Sequence, residues 1–227
     1  MQRPSSRAPH LLPDPAALWR RLIALAALDR LLSPDWYYRY YSFDAAFGPG
    51  LQVGSMRNGS GDDFFVGFSA GGVFFKGFDH ESSMSPYAQD PLELWPGIYE
   101  GCPESLHGFR DEPAFSTAEN ATFALWWDAA DPGWRVGVES YAEGEDPDGS
   151  EWLLDLLGAG PEGYLDFAQG YYEEGAANLE LEFVQQVYAH EPLSETALAK
   201  LAPEDAGAAL GEILAMGYGS AFPFASG

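Results

Sequence analysis

The spacing of hydrophobic residues near the N-terminus is helical. Asp14 followed by Pro15 supplies an N-cap and a first-turn proline, and the apolar positions from there to Leu32 recur on one broad face. Few polar positions interrupt that face. We therefore predict a helix over 14–32 that is docked against the rest of the protein and largely buried.

In the middle of the chain the pattern becomes that of β-strands. Residues 64–68 and 73–78 are aromatic and β-branched runs separated by a short glycine-containing segment, which predicts a hairpin. A strand over 51–56 leads into it. A second hairpin is predicted over 122–128 and 134–140, with its turn at 131–133. The aromatic segment 35–47 is compatible with a helix or with extended structure, and its periodicity does not decide between them.

After residue 150 the pattern returns to a period of about 3.6 residues, which is typical of helices. The result is an α+β fold: an antiparallel sheet of four to five strands built from two hairpins, with an N-terminal helix and a helical C-terminal part. The chain length suits a single domain over 13–227. Residues 1–12 lack apolar periodicity, so we expect a flexible tail there.

Charge narrows the classes of partner. The formal net charge is −24 and the isoelectric point about 4.1, which disfavours nucleic acid and anionic membranes and favours a basic protein. Because Cys102 is the only cysteine, an intrachain disulfide and a Cys-based zinc site are excluded. The apolar run 22–28 is too short to span a bilayer. These features favour the cytoplasm.

Polar residues that could bind a ligand or transfer a proton lie at the ends of the central hairpin. Because its strands are antiparallel, the segments that enter and leave it meet at the same end. The candidate ligand-binding residues are Arg57, Asp62, Lys76, Asp79, His80 and Glu81. Of these, Asp79, His80 and Glu81 are the candidate ligands of a divalent metal or the candidate acid–base groups. The alternative is structural: these side chains hydrogen-bond the turn over 82–86 and pair with Arg57 or Lys76.

Two other features have simpler explanations. The aromatic residues Trp36, Tyr37, Tyr38, Tyr40 and Tyr41 resemble a stacking platform, but no basic charge surrounds them, so we predict that they belong to the core. The acidic run 143–151 lacks the ligand spacing of an EF-hand, and we predict a solvated loop whose Asp148 or Ser150 caps the next helix.

Four segments resemble a group of bacterial proteins: SMRNGSGD at 55–62, KGFDHESSMSP at 76–86, DPDGS at 146–150 and VYAHEPL at 187–193. That resemblance implies no particular activity and no functional residues. In size, acidity and predicted fold class the chain is also similar in general character to immunity proteins that neutralise bacterial toxins, without a shared motif.

Two functions follow as expectations. The first is a non-enzymatic acidic protein of the bacterial cytoplasm, immunity-like or regulatory, that recognises a basic partner. The alternative is a metal-dependent enzyme or ligand binder that uses the hairpin end at Asp79, His80 and Glu81.

Overall fold

A computed structural model describes residues 3–115 and 118–224. Within these ranges the strands are β1 Tyr41–Gly48, β2 Leu51–Arg57, β3 Asp63–Ser69, β4 Gly72–Phe78, β5 Phe123–Asp128 and β6 Asp131–Arg135. The helices are α1 Pro15–Leu32, α2 His107–Arg110, α3 Ser150–Leu153, α4 Asp155–Gly158, α5 Pro161–Tyr171, α6 Leu181–Tyr188, α7 Glu195–Leu198 and α8 Ala206–Ala215. The α+β class, the N-terminal helix and the C-terminal helices are as predicted.

The sheet has six strands instead of the predicted four to five. They form an antiparallel meander in the order β1-β2-β3-β4-β5-β6. The additional strand is β1, which comes from the aromatic segment whose periodicity was ambiguous. A 3-10 turn over Trp36–Tyr38 precedes it, and Tyr41 then pairs with Met56 at the start of the β1–β2 ladder. Pairing with β2, to which a two-residue turn at 49–50 joins it, gives this segment its extended conformation.

The second hairpin also differs from its prediction. Its turn lies at 129–130, and β6 begins at Asp131, because the Asp128 carboxylate accepts a hydrogen bond from the Ala130 N–H at 2.9 Å. Trp127 pairs with Trp134 across the two strands. The strand ends at Arg135 instead of continuing to 140.

Both faces of the sheet are covered. The inner face packs on α1, whose residues from Leu18 to Leu31 are almost entirely buried except at two arginines, and α5, α6 and α8 pack on the far side of that helix. The outer face carries a separate cluster built from the connection between β4 and β5, including Met84, Leu106 and Phe115. A helix buried on both sides explains why α1 is apolar almost all round.

Buried polar groups join the helices to one another. The Arg30 guanidinium of α1 contacts Asp205 at 2.5 Å and Glu212 at 2.7 Å, which connects α1 to α8. Arg39 contacts the same Glu212 at 3.3 Å and donates to the Ser33 carbonyl oxygen at 3.0 Å. These arginines are therefore neutralised within the fold.

The N-terminal residues are more closely packed than the expected tail. Ser5 and Ser6 are buried. The Ser6 N–H donates to the Ser150 hydroxyl at 2.9 Å, and the Ser6 hydroxyl donates to the Asp148 carboxylate. Hydrogen bonds between polar groups hold this segment in place. The periodicity of apolar residues, on which the prediction of a tail is based, does not report such bonds. Residues 1 and 2 of the predicted tail lie outside the described residues.

The aromatic segment divides between core and surface. Tyr41 is buried and Tyr40 partly buried, as the core interpretation predicted, whereas Trp36, Tyr37 and Tyr38 are exposed. For these three residues the core prediction was wrong. Among the described helices, none combines the length and apolar character needed to cross a membrane.

Candidate functional site

The end of the central hairpin brings three of the predicted residues together. One ligand atom from each of Asp62, Asp79 and His80 lies within 4.8 Å of the others. Asp62 is in the loop before β3, and Asp79 and His80 directly follow β4. The antiparallel register, in which Asp63 pairs with Phe78, places these two loops side by side.

Asp62 and His80 form a carboxylate–imidazole pair. The Asp62 Oδ1 atom lies 2.6 Å from His80 Nδ1 and accepts the His80 backbone N–H at 2.8 Å. Since an ionised carboxylate only accepts hydrogen bonds, Nδ1 carries the proton in this pair. The Nε2 atom then faces a partly exposed region, with Glu81 Oε1 at 4.0 Å.

The pair shifts both pKa values in the directions expected of an ion pair. The hydrogen bond to Asp62 raises the pKa of His80 above its usual 6.5. Burial acts to raise the pKa of Asp62, but the hydrogen bonds from His80 and Asn58 outweigh it and lower that pKa. The Asn58 amide donates to Asp62 Oδ2 at 2.5 Å.

Asp79 is held from the other side of the site. Its Oδ1 accepts the Glu81 N–H, and its Oδ2 accepts the indole N–H of Trp152, both at 2.9 Å. Gly149 lies directly behind it, and a Cβ at that position would overlap the Asp79 carboxylate. Each carboxylate oxygen of Asp62 and Asp79 thus accepts a hydrogen bond from this chain, which stabilises the geometry of the cluster.

Thr122 links this cluster to the loop before α3. Its hydroxyl accepts the Asp79 N–H at 3.2 Å and donates to the Asp148 carbonyl oxygen at 2.7 Å. The Asp148 carboxylate accepts the Ser150 hydroxyl at 2.7 Å. The acidic run 143–151, predicted as a solvated loop, is therefore partly a structural element: Asp148 is buried, whereas Glu143 and Glu145 are exposed.

The remaining predicted residues lie elsewhere. Arg57 and Lys76 are on the outer face of the sheet, where Arg57 pairs in register with Asp63. Lys76 is 1% exposed, and its burial lowers its pKa to about 8. Burial of Asp63 raises the pKa of the Asp63 carboxyl to about 6. Glu81 is 85% exposed at its side chain. The six candidates therefore fall into three groups. Asp62, Asp79 and His80 lie together at the hairpin end, Arg57 and Lys76 lie on the outer face of the sheet, and Glu81 is exposed beside His80.

Sequence reasoning places Asn58 among the polar groups at this hairpin end but does not identify Gly149 and Trp152 as partners of the site. Asn58 lies in the glycine-containing loop before β3, where an Asx turn is a recognisable local signal. Gly149 and Trp152 come from the loop and helix α3, far along the chain, and no pattern within either segment points to Asp79. Only the folded chain brings them together.

The surroundings of Cys102 and His190 indicate structural roles for these two residues. Burial raises the pKa of the Cys102 thiol to about 11, which opposes formation of the thiolate. His190 accepts the Gly219 N–H at its Nδ1, its Nε2 lies 2.8 Å from the Arg20 carbonyl oxygen, and its ring stacks on Tyr218. Burial lowers the pKa of His190, and these contacts favour the neutral ring.

The charged groups are unequally divided between surface and interior. Arg30, Arg39 and Lys76 are buried. The exposed Lys and Arg residues are Arg3, Arg7, Arg135 and Lys200. Between residues 136 and 199 the sequence contains no Lys or Arg and 15 Asp or Glu. That stretch includes α3 to α7, and its exposed carboxylates include Glu162, Glu174 and Glu182. The N-terminal segment supplies two cations to its first helices: Arg3 contacts Asp155 at 3.1 Å, and Arg7 lies 4.0 Å from Glu151.

Comparisons with protein-family models, with curated proteins and with solved structures find no match to this chain.

Proposed function

We propose that this chain is a non-enzymatic binding protein of the bacterial cytoplasm, immunity-like or regulatory, that recognises a basic protein partner. The observation that carries the proposal is the division of charge described above. Several cations are neutralised inside the fold, while the stretch from 136 to 199 contributes 15 acidic residues and no Lys or Arg. Arg3 and Arg7 of the N-terminal segment contact two of these acidic residues, Asp155 and Glu151. Such a surface accelerates association with a positively charged protein and disfavours acidic ones.

The geometry of the hairpin end is consistent with this function. Asp62 and Asp79 accept hydrogen bonds from Asn58, His80, Glu81 and Trp152, and these bonds join three separate segments of the chain. A network of this kind fixes loop positions and contributes to stability. The cluster then serves the fold, and the surrounding acidic surface serves recognition.

Binding to defined probes tests the proposal. We would measure the affinity of the protein for purified proteins of similar size and different isoelectric points as the salt concentration rises. We expect only basic probes to bind, with affinity falling steeply with salt because the contacts lie among exposed charges. Comparable binding of neutral probes, or affinity that salt leaves unchanged, would contradict the proposal.

A second candidate function rests on the proximity of Asp62, Asp79 and His80. Carboxylate oxygen and imidazole nitrogen together suit a divalent transition metal, and Glu81 stands 4.0 Å from His80 Nε2 at the open side. Asp79, His80 and Glu81, with Asp62 orienting the imidazole, would hold the ion. On this candidate the protein is a metal-dependent enzyme or ligand binder.

Calorimetric titration of the protein with zinc, manganese, magnesium and calcium tests this candidate. Micromolar binding that is lost in His80→Ala supports it. His10→Ala is a matched control, because His10 is also exposed and makes no contact with the cluster. Absence of binding in the unmodified protein would eliminate the metal candidate, whatever the outcome with basic probes.

A further inference from the structure

Three consecutive aromatic side chains project from the turn between α1 and β1. Trp36, Tyr37 and Tyr38 are 52%, 77% and 63% exposed. The backbone that carries them is well held: the Asp35 carboxylate accepts the Tyr37 N–H at 2.9 Å, and the buried Arg39 guanidinium donates to the Pro34 carbonyl oxygen at 2.7 Å. A rigid turn that keeps large rings in solvent is a feature of interaction surfaces.

The turn adjoins a groove of about 350 Å³ on the outer face of the sheet. Ser42 and Ser55 lie opposite each other on β1 and β2, and within the described residues their hydroxyls make no hydrogen bond. The groove is lined by Trp36, Ser42, Asp44, Ser55, Phe65 and Phe115, among others. Aromatic walls, two hydroxyl acceptors and one carboxylate therefore face the same space, and its volume suits a side chain or small group.

The charges around the turn favour a cation. Asp35 and Asp44 are exposed. The nearby Arg57 guanidinium already covers one face of the Trp36 ring, 3.9 Å from its centre, and the charge of Asp63 stabilises its charged form. Its Nη2 atom is buried without a hydrogen-bond partner in the described residues. The whole molecule adds a formal charge of −24. A planar guanidinium matches this set, since it stacks on aromatic faces and donates to hydroxyl and carboxylate oxygens.

We infer that the aromatic turn Trp36–Tyr38 and the adjoining groove form the docking surface for an arginine-bearing segment of the basic partner. This inference rests on the proposed function and adds the position of the contact and the chemistry of the anchor. The rings supply contact area at a small cost in side-chain entropy. Asp44 and the two serines orient the guanidinium.

The test uses a capped peptide of alternating arginine and glycine, with a citrulline analogue as its neutral isostere. Titration into isotopically labelled protein, followed by NMR, is expected to shift the signals of 36–38, 42, 44 and 55. The double substitution Tyr37→Ala/Tyr38→Ala is expected to weaken binding about tenfold. Tyr87→Ala is the matched control, because Tyr87 is 61% exposed on a different loop, and it should leave the affinity unchanged.

The outcomes separate this inference from the proposed function. Binding of the arginine peptide with signal shifts confined to α5 and α6, or with equal affinity in the double variant, overturns the docking surface and leaves the proposed function standing. Failure of every cationic probe to bind overturns both. Equal binding of the citrulline analogue overturns the cationic anchor. Self-association of the protein that the double variant abolishes would assign the surface to a second copy, which also overturns the inference.

Discussion

The Asp29 carboxylate of α1 accepts a 2.6 Å hydrogen bond from the Tyr164 hydroxyl of α5, and both residues are fully buried. The second oxygen of Asp29 accepts the Tyr41 N–H of strand β1, also at 2.6 Å. One carboxylate thus joins the central helix, an outer helix and the edge of the sheet. The apolar stripe of α1 gives no indication of this polar junction.

Removing the hydroxyl at Tyr164 should destabilise the protein. In Tyr164→Phe the buried Asp29 loses a donor, and we expect the free energy of unfolding to fall by about 1–3 kcal/mol. Chemical denaturation monitored by circular dichroism measures it. Tyr188→Phe is the control, because the Tyr188 hydroxyl is buried without a hydrogen-bond partner in the described residues, and its removal should be neutral or stabilising. Equal losses in the two variants would refute the role of Asp29.

The same carboxylate should make stability depend on pH. Burial raises the pKa of Asp29 from 3.8 to about 6, and the hydrogen bonds from Tyr164 and Tyr41 only partly oppose that rise. Because the folded pKa lies above the unfolded one, the folded state holds the proton more tightly. The stabilising contribution is full below the unfolded pKa and is lost as the pH rises through about 6, with a total of about 3 kcal/mol.

The substitution Asp29→Asn isolates the contribution of Asp29 to the pH dependence of stability. A variant is needed because the pKa of Asp63 is also raised to about 6, so Asp63 titrates over the same pH range. We expect the stability of the unmodified protein to fall relative to the variant between about pH 4 and pH 7. Urea unfolding at several pH values gives both curves. If the two curves run parallel, Asp29 does not titrate in this range.

The contact of Gly149 with Asp79 predicts a large effect from one methyl group. Gly149 has a φ of +74°, and an alanine Cβ there would overlap the Asp79 carboxylate. We expect Gly149→Ala to lower the free energy of unfolding by about 2–4 kcal/mol through strain and displacement of Asp79. Gly59→Ala is a matched control: its φ is +77° with no atom near the added Cβ, so it should cost only about 1 kcal/mol.

The pairing of His80 with Asp62 predicts the titration of that histidine. Its hydrogen bond to Asp62 raises its pKa above 6.5, and Asp62→Asn should return the pKa toward that value. The stabilisation from this pair is full below the unfolded pKa and is lost as the pH rises through the folded pKa. NMR titration of the imidazole C–H signals measures both proteins, and an unchanged pKa in the variant would disprove the pairing.

Local pattern predicted the parts of the fold that depend on nearby residues. The N-cap at Asp14 and the apolar face of α1 define a helix wherever it docks, and the two runs around the 69–72 turn define a hairpin. The proximity of Asp62 to His80 follows from the same hairpin, because antiparallel strands return the chain to the end where it entered.

Long-range packing decided the rest. The same strand geometry that brings Asp62 to His80 leaves Arg57 and Lys76 on the outer face, where burial depends on how the connection between β4 and β5 folds over the sheet. The contact of Trp152 with Asp79, the burial of Asp29 and the exposure of Trp36 depend on segments far apart in the chain. Local sequence pattern specified helix α1, the central hairpin and the acidic charge. Tertiary packing decided which polar groups meet and which aromatic rings remain in solvent, because burial is a property of the whole fold.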